Sequence, residues 1–207
     1  MMSSGTRINS TDSSIKIAID TWYENNLKTD YGKYLSTTAI YCNDRILASG
    51  QTYSTTNRFY YASYERLVTN KTPTYNCTNN KDAFSGNNNE AKLTYPIGLM
   101  TADEIAYAGE KYIADLTAPY AWYYTNANGE SIIGGADSWF LSPYGWNVSI
   151  AFDWYWRGSY NPGSLSDRVI TSFSVRPAVS LKSCIKYSTG NGSAGTPYTI
   201  EETSSGC

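Results

Sequence analysis

Apolar residues recur with helical spacing near the start of the chain, in the stretch STDSSIKIAIDTWYENNL at residues 10–27. A repeat at i, i+4, i+7 and i+8 predicts a helix that buries one face. Thr11 or Asp12 is expected to cap its first turn. The buried face should carry Ile15, Ile19, Trp22, Tyr23 and Leu27.

A second, shorter helix is predicted by the stretch TADEIAYAG at residues 101–109. Thr101 and Glu104 have the spacing of a capping box, in which each side chain accepts a hydrogen bond from the other residue's backbone N–H. Gly109 suits the left-handed conformation that often ends a helix. The Asn- and Gly-rich segment 79–92 has no periodicity and is predicted to be a loop.

Beyond Gly109 the pattern changes to short runs rich in Trp, Tyr, Val, Ile and Ser, separated by Gly, Pro and Asn. Such runs are typical of β-strands, and such separators are typical of turns. The run SVRPAVSLKS at residues 174–183 is predicted to be a buried strand, which Pro177 restricts to an edge or a bulge. Helices early and strands late predict an α+β fold with an antiparallel β-rich C-terminal half.

The stretch SWFLSPYGWNVSIAFDWYWRGSY at residues 138–160 contains four of the six tryptophans in the chain. A strand that is buried on one face alternates apolar and polar residues. Residues 152–157 do this imperfectly, with Phe152, Trp154 and Trp156 on one side and Asp153, Tyr155 and Arg157 on the other. Trp139 and Trp154 are expected to pack in the core. For the other large rings two interpretations remain, a crowded core or a recognition surface.

The recognition interpretation rests on residue type. Tyr and Trp supply rigid contact area and Ser and Asn supply adaptable hydrogen bonds, while Trp, Tyr and Arg dominate binding hot spots. A small domain cannot fully bury so many large rings. The segment from Tyr144 to Phe173 is therefore predicted to bind a protein or a glycan. The predicted contact residues are Tyr144, Trp146, Asn147, Ser149, Phe152, Asp153, Tyr155, Trp156, Arg157, Ser159, Tyr160, Asn161, Asp167, Arg168, Thr171 and Phe173.

Charge and hydropathy exclude two classes of partner. The net charge of the 207 residues is −2 with no run of Lys or Arg, so no nucleic-acid partner is expected. No stretch approaches 18 consecutive apolar residues, so no membrane span is predicted. Residues 1–10 lack the apolar core of a signal peptide. They are expected to be a tag or a truncated linker from which any membrane anchor is missing, and residues 11–207 are expected to form one domain.

The four cysteines predict an oxidising environment. They form no CxxC pair and the chain has no histidine, so neither a metal site nor a cofactor is expected. Four cysteines allow three disulfide pairings. The pairing that keeps each loop local joins Cys42 to Cys77 and Cys184 to Cys207 and is favoured. The alternative is four reduced, buried thiols. The C-terminal SSGC argues against it, because a cysteine at a frayed terminus has little use unless a disulfide holds the terminus in place.

The absence of histidine also removes the usual general base and the usual nucleophile pairs, so the protein is not expected to be an enzyme. Carboxylates alone could support glycan hydrolysis. Asp103 and Glu104 lie in a predicted first helical turn, where the helix dipole explains them. Asp115 and Asp137 are further candidates, and a hydrolase that uses Asp153 or Asp167 is the alternative that stays open.

Several motifs together resemble a known family. They are AIYCNDR, ERLVTNKTPTYNCTNNKDAFS, AKLTYPIGLMTADEIAYAG, WFLSP, SVRPAVSLKS and GNGSAGTPYTI, in this order. The chain is similar, from about Ile15 to Ile200, to pilin-like and surface-anchored proteins of Gram-positive gut bacteria. The resemblance implies a C-type lectin-like fold related to that of formylglycine-generating enzymes. The motifs around Cys42 and Cys77 recur together in that group, which implies that these two cysteines pair.

The same fold serves the variable proteins of diversity-generating retroelements, in which a reverse transcriptase rewrites adenine positions near the 3′ end of a gene. WFLSP and VRPAVSL resemble the family's constant motifs, whereas residues 144–173 between them are irregular. Ser174 stands where the family usually has the glycine of GVRP. Diversification and ordinary divergence are both open explanations. The resemblance implies display on a bacterial cell surface, a pilus or a phage particle.

The resemblance implies neither an enzymatic activity nor a metal site. The Glu-Pro-Asn or Gln-Pro-Asp motif of calcium-dependent lectins is missing, so no calcium is predicted. The catalytic cysteines and copper site of formylglycine-generating enzymes have no counterpart. The expected function is therefore ligand binding, as a receptor or adhesin. The alternative is a structural pilin-tip or surface subunit whose aromatic residues contact another subunit.

Overall fold

A computed structural model describes residues 11–108, 136–148, 150–157, 163–193 and 195–207. Within them the chain has an α+β fold with few helices and several antiparallel sheets. The helices are α1 (Ser14–Asn26), α2 (Ala62–Tyr64) and α3 (Ala102–Tyr107). A π-helical turn, Glu65–Asn70, continues α2, and 3₁₀ turns occupy Gly32–Tyr34 and Asn80–Asp82. None of the helices in this part of the chain is long and apolar enough to cross a membrane.

Helix α1 is the predicted first helix, with two corrections. Ser13, not Thr11 or Asp12, caps it, because the Ser13 Oγ accepts a hydrogen bond from the Lys16 backbone N–H at 3.1 Å. Trp22 is 44% exposed, because it lies at the edge of the apolar stripe. The predicted face is otherwise confirmed, with buried members Ile19 and Tyr23 and partly buried members Ile15 and Leu27.

Helix α3 confirms the predicted capping box. The Thr101 Oγ1 accepts a hydrogen bond from the Glu104 N–H at 3.1 Å, and the Glu104 Oε2 accepts one from the Thr101 N–H at 2.7 Å. Ile105 anchors the helix because its side chain is completely buried. Gly109, the predicted end of the helix, lies outside the described residues.

Strands form four sheets among the described residues. The main sheet has the order β2-β5-β6-β7, and β8 pairs in parallel with β5. The other sheets are the antiparallel pairs β1-β3, β4-β9 and β10-β11. The strands are β1 (Tyr41–Cys42), β2 (Phe59–Tyr60), β3 (Ala83–Phe84), β4 (Gly98–Leu99), β5 (Ser138–Asn147), β6 (Ile150–Arg157), β7 (Gly163–Arg168), β8 (Ser174–Val175), β9 (Pro177–Ala178), β10 (Tyr187–Thr189) and β11 (Thr199–Ile200).

Residues 138–157 of the aromatic stretch form the central hairpin, β5–β6, and both of its faces contribute residues to the core. One face contributes Trp139 and Tyr155 to a core that also contains Ile19 and Tyr23 of α1. The other face contributes Phe140 and Trp154 to a second core, against α3. The prediction that Trp139 and Trp154 pack in the core is confirmed.

The segment 174–183 was predicted to be one buried strand, which is wrong. It forms two short strands on either side of Arg176, because β8 pairs with β5 whereas β9 turns to pair with β4. Its side chains are mostly half-buried or exposed, as in Val179 and Leu181. Pro177 lies in a two-residue strand of a two-stranded sheet, which agrees with the edge position expected for proline.

Two disulfides close local loops, and both predicted pairings are confirmed. Cys42 is bonded to Cys77 with 5.7 Å between the Cα atoms, and Cys184 to Cys207 with 5.8 Å. The first bond ties β1 to the chain that precedes α3. Disulfides of this kind are typical of proteins in an oxidising, extracellular environment.

Candidate ligand-binding site

A shallow pocket of about 120 Å³ opens on the main sheet, near the turn that joins β5 to β6. Residues from the start of β2, the end of β5, the start of β6 and the middle of β7 line it. The lining residues are Arg58, Tyr60, Tyr144, Gly145, Trp146, Asn147, Phe152 and Ser166.

The pocket depends on the close approach of β2 to β5. Tyr60 pairs with Gly145 in register, and Phe59 pairs with Trp146. A Cβ atom at Gly145 would lie 2.7 Å from the Phe59 backbone oxygen and 3.1 Å from the Tyr60 ring. Real Cβ atoms essentially never approach other atoms that closely, so glycine is required for β2 to bring Arg58 and Tyr60 beside β5.

The aromatic walls of the pocket are held by further rings behind them. Tyr60 stacks on Tyr64 with 4.1 Å between ring centroids. Tyr144 meets Tyr60, Tyr64 and the buried Trp154 edge-on, with centroid distances of 5.7, 5.2 and 5.1 Å. The Trp146 ring lies nearly parallel to that of Phe59, with 6.4 Å between the ring centroids. Rings fixed in this way lose little conformational entropy when a ligand binds.

A tryptophan behind the pocket is fixed by a buried hydrogen-bond chain. The Trp154 Nε1–H donates to the Ser63 Oγ at 3.0 Å, and the Ser63 hydroxyl donates to the Pro143 carbonyl at 2.7 Å. This chain joins α2 to the hairpin, since Ser63 lies in α2 and Pro143 in β5. The ring against which Tyr144 packs is therefore held in the core.

Charge enters the pocket through arginine. Arg58 is exposed, its Nη1–H donates to the Tyr60 hydroxyl at 3.1 Å, and its guanidinium lies 5.8 Å from the Tyr60 ring centroid. Arg168 is exposed at the end of β7 and is paired in register with Phe152. Because paired residues of antiparallel strands project to the same face, Arg168 lies on the pocket side of the sheet.

The pocket brings together four of the predicted contact residues, two further residues of the predicted segment (Gly145 and Ser166) and two from outside that segment. Tyr144, Trp146, Asn147 and Phe152 were predicted, and Arg58 and Tyr60 were not. The stretch NRFYYASY at residues 57–64 is as rich in aromatic residues as the predicted segment. That composition was the available signal, but its proximity to β5 depends on strand pairing.

Three other predicted contacts lie on the opposite face of the sheet and are corrected. Asp153 is 5% and Tyr155 8% exposed, and both are inside the protein. Phe173 is half-buried, with its ring centroid 4.6 Å from those of Trp139 and Tyr155. The physical reason is that α1 and its surrounding residues cover the face that a simple alternation would leave in water. These side chains contribute to packing rather than to a surface contact.

Of the remaining predicted contact residues, two lie in the described part of the structure and the others do not. Asp167 and Thr171 are half-buried, on β7 and in the turn after it, and neither lines the pocket. The others are outside the described part of the structure: Ser149, Ser159, Tyr160 and Asn161 entirely, and Trp156 and Arg157 in their side chains. The alternative catalytic candidate Asp115 is also outside it.

The carboxylates proposed for hydrolysis lie away from the pocket. Asp153 and Asp167 are in-register partners on β6 and β7. Burial raises the pKa of Asp153 well above its usual value, although the Trp154 backbone N–H donates to its Oδ1 at 2.9 Å. A carboxyl whose pKa is raised can serve as a general acid. The Asp153 side chain is buried on the face opposite the pocket, however, and does not meet a surface substrate there.

Asp103 has a structural role. Its carboxylate accepts hydrogen bonds from the Arg66 guanidinium at 2.8 and 2.7 Å and from the Thr74 N–H at 2.9 Å. The same guanidinium donates to Asp44 at 2.6 Å. Burial raises the pKa of Asp44, and the neighbouring Arg66 opposes that rise. Within the described residues no group of three or more His, Cys, Asp or Glu side chains is arranged to hold a metal ion.

Comparison of the chain with models of known protein families, with curated proteins and with solved structures finds no match. The resemblance to C-type lectin-like surface proteins therefore stays a prediction from motifs. The function is argued below from the residues of the pocket and their geometry.

Proposed function

We propose that this protein is an extracellular ligand-binding domain of the receptor or adhesin type, and that the pocket on the main sheet is its binding site. One observation carries the proposal: Tyr144, Trp146, Asn147 and Phe152, predicted as contacts from residue type, converge in one surface pocket with Tyr60 and Arg58. Concave sites with aromatic walls and a few polar groups are the usual form of ligand sites.

The construction of the pocket also supports recognition. Its rings are fixed by stacking against the core, so a ligand would meet a preformed surface. Asn147, Ser166 and the Tyr60 hydroxyl supply hydrogen-bonding groups beside those rings. Two disulfides fit a protein that works outside the cell.

The finer assignments belong to the same proposal. The fold is of the C-type lectin-like type, and the protein is displayed on a bacterial surface, a pilus or a phage particle. The order of motifs from AIYCNDR to GNGSAGTPYTI supports both assignments, and the α+β arrangement with a long central hairpin agrees with the first. The segment 144–173 is the diversified part of a retroelement target.

Binding is tested on a combined glycan and protein array with three forms of the chain. The wild type is compared with the double variant Tyr60→Ser/Phe152→Ser, which removes two rings from the pocket. The variant Tyr75→Ser is the control, because Tyr75 is exposed and stacks on Tyr107 at a different surface. Ligands of the wild type should bind the double variant roughly tenfold more weakly or worse and the control equally well. Equal binding by all three forms would contradict the proposal.

The same variants test the alternative of a structural surface subunit. If the pocket is a subunit contact, the wild type self-associates and the Tyr60→Ser/Phe152→Ser variant is monomeric in analytical ultracentrifugation. A wild type that stays monomeric at high concentration, or an oligomer that persists in the double variant, excludes that alternative.

Diversification is tested by deep sequencing of the gene and its flanks in a natural population. The proposal expects changes to cluster at the codons for residues 144–173, with an adenine-rich near-copy and a reverse transcriptase gene nearby. A segment as constant as the rest of the gene would mean that the binding face is fixed.

A further inference from the structure

Two arginines stand at opposite sides of the pocket. Arg58 directly precedes β2 at one side, and Arg168 ends β7 at the other. Both side chains are exposed. The pocket between them crosses the four strands β2, β5, β6 and β7. Tyr60, not Arg58, is in register with Arg168 across the sheet. Three strand spacings of about 4.8 Å and two residues of about 3.4 Å along β2 place the backbones of the two arginines about 16 Å from each other.

Among the described residues, no carboxylate lines the pocket. The lining consists of aromatic, amide, hydroxyl and glycine residues together with Arg58. Asp153 of β6 and Asp167 of β7 alternate with Phe152 and Arg168 and so project to the opposite face, where the Asp167 Oδ1 accepts a hydrogen bond from the Arg168 backbone N–H. The described lining thus carries a positive charge, that of Arg58, in a chain whose net charge is −2.

The size of the pocket limits what enters it. Sites that enclose an entire drug-sized ligand have volumes of about 300–1,000 Å³, whereas this one has about 120 Å³. It holds one ring or one side chain of a larger ligand, and the rest of the ligand extends over the sheet. A ligand that reaches both arginines must be a chain with more than one negative charge.

We propose that the ligand is an acidic polysaccharide, a chain of sugar rings that bear carboxylates; this inference rests on the function proposed above. One sugar ring lies against the aromatic walls, and its hydroxyls meet Asn147, Ser166 and the Tyr60 hydroxyl. Carboxylates of that ring or of its neighbours meet Arg58 and Arg168 through charge-assisted hydrogen bonds. A glycan is favoured over an acidic peptide because the lining combines aromatic rings with neutral hydrogen-bonding groups, the Asn147 amide and the Ser166 hydroxyl.

The test is isothermal titration calorimetry of the full chain with three hexamers: hexagalacturonate, neutral maltohexaose and hexaglutamate. Hexagalacturonate should bind most tightly and lose affinity as salt rises. Arg58→Gln and Arg168→Gln should each weaken it by roughly tenfold or more, as expected for loss of a hydrogen bond to a charged group. Lys92→Gln is the charge-matched control, since Lys92 is exposed and lines a different cavity, next to α1. Circular dichroism melting of each variant confirms that it folds.

Each contrary result contradicts a different part of the proposal. Maltohexaose binding as tightly as hexagalacturonate, or Arg58→Gln and Arg168→Gln binding as the wild type does, removes the acidic ligand. If the double variant Tyr60→Ser/Phe152→Ser no longer binds the hexamer that the wild type binds, the pocket is still supported as the binding site. Tighter binding of hexaglutamate would assign the pocket to an acidic peptide. Binding of none of the three hexamers overturns the inference, and the array result then decides the function separately.

Discussion

At Gly145 the backbone of β5 lies against β2, and a single hydrogen in place of a side chain makes this possible. The Cβ of an alanine would meet backbone as well as a ring, and backbone cannot swing aside as the end of a flexible side chain can. An alanine at this position would therefore introduce local strain at the edge of the pocket. Residue-scale packing thus determines whether Arg58 and Tyr60 take part in the site at all.

Gly145→Ala is expected to lower the free energy of unfolding by about 1–3 kcal/mol, as for other insertions into well-packed positions. It should also weaken ligand binding, because β2 moves away from β5. Urea denaturation followed by circular dichroism measures the first effect. Gly195→Ala is the control, since a Cβ at Gly195 has no atom within 4 Å. Equal stability of the two variants would mean that the close approach of β2 is not required.

The buried carboxyl of Asp153 predicts a pH dependence. Because burial raises its pKa in the folded state, the folded protein holds this proton more tightly than the unfolded chain does. The stability that protonation provides is present at low pH and is lost as pH rises from the ordinary value of 3.8 through the raised folded pKa.

Asp153→Asn should therefore raise the melting temperature at neutral pH. The amide oxygen still accepts from the Trp154 N–H, and no charge is buried. The gain over the wild type should shrink as pH falls toward 4 in a melting series by differential scanning fluorimetry. Asp30→Asn, at an exposed position, is the control. A gain that is the same at every pH would contradict the effect of burial on the pKa.

Among the secondary-structure elements, one guanidinium joins α3 to the π-helical turn that follows α2. Arg66 donates to Asp103 of α3 and to Asp44. Burial lowers the pKa of Arg66, but the hydrogen bonds to the two acids and their negative charges together raise it above its ordinary value. Helix α3 has six residues, too few to be stable alone, so its position depends on such contacts and on Ile105.

Arg66→Met is expected to destabilise the protein by about 3–5 kcal/mol, because it leaves two buried carboxylates without their cation. Methionine keeps most of the apolar stem, so the loss reports on charge rather than on volume. Urea unfolding provides the measurement. Arg58→Met, at an exposed position, should change stability by less than about 0.5 kcal/mol. A small effect at Arg66 would mean that water solvates Asp44 and Asp103.

At the scale of the whole molecule, the two disulfides close loops of 35 and 23 residues. Loops of these lengths restrict the unfolded chain by about 3–4 kcal/mol each in the chain-entropy account. Cys42→Ser/Cys77→Ser should lose about that much, measured by urea unfolding. Cys184→Ser/Cys207→Ser should lose slightly less because its loop is shorter. Non-reducing peptide mass spectrometry should find the two native pairs, and four free thiols would contradict an oxidising location.

Much of the local structure followed from the sequence alone. The apolar repeat determined α1, and Thr101 with Glu104 determined where α3 begins, because these interactions join residues within one turn of helix. The cap of α1 was misplaced by one or two positions because several adjacent residues can fill that role. Cysteine number and spacing were sufficient to favour the correct disulfides.

The tertiary structure decided which faces are covered and which distant segments meet. Tyr155 is buried because α1 and its neighbours cover its face of the hairpin, and no alternation along β6 encodes that contact. Residues 174–183 form two strands instead of one because residues 174–175 pair with β5 and residues 177–178 pair with β4. The pocket itself exists because Tyr60 pairs with Gly145, a contact between segments far apart in the chain. Local spacing determines elements, whereas a binding surface depends on long-range pairing that only the folded chain specifies.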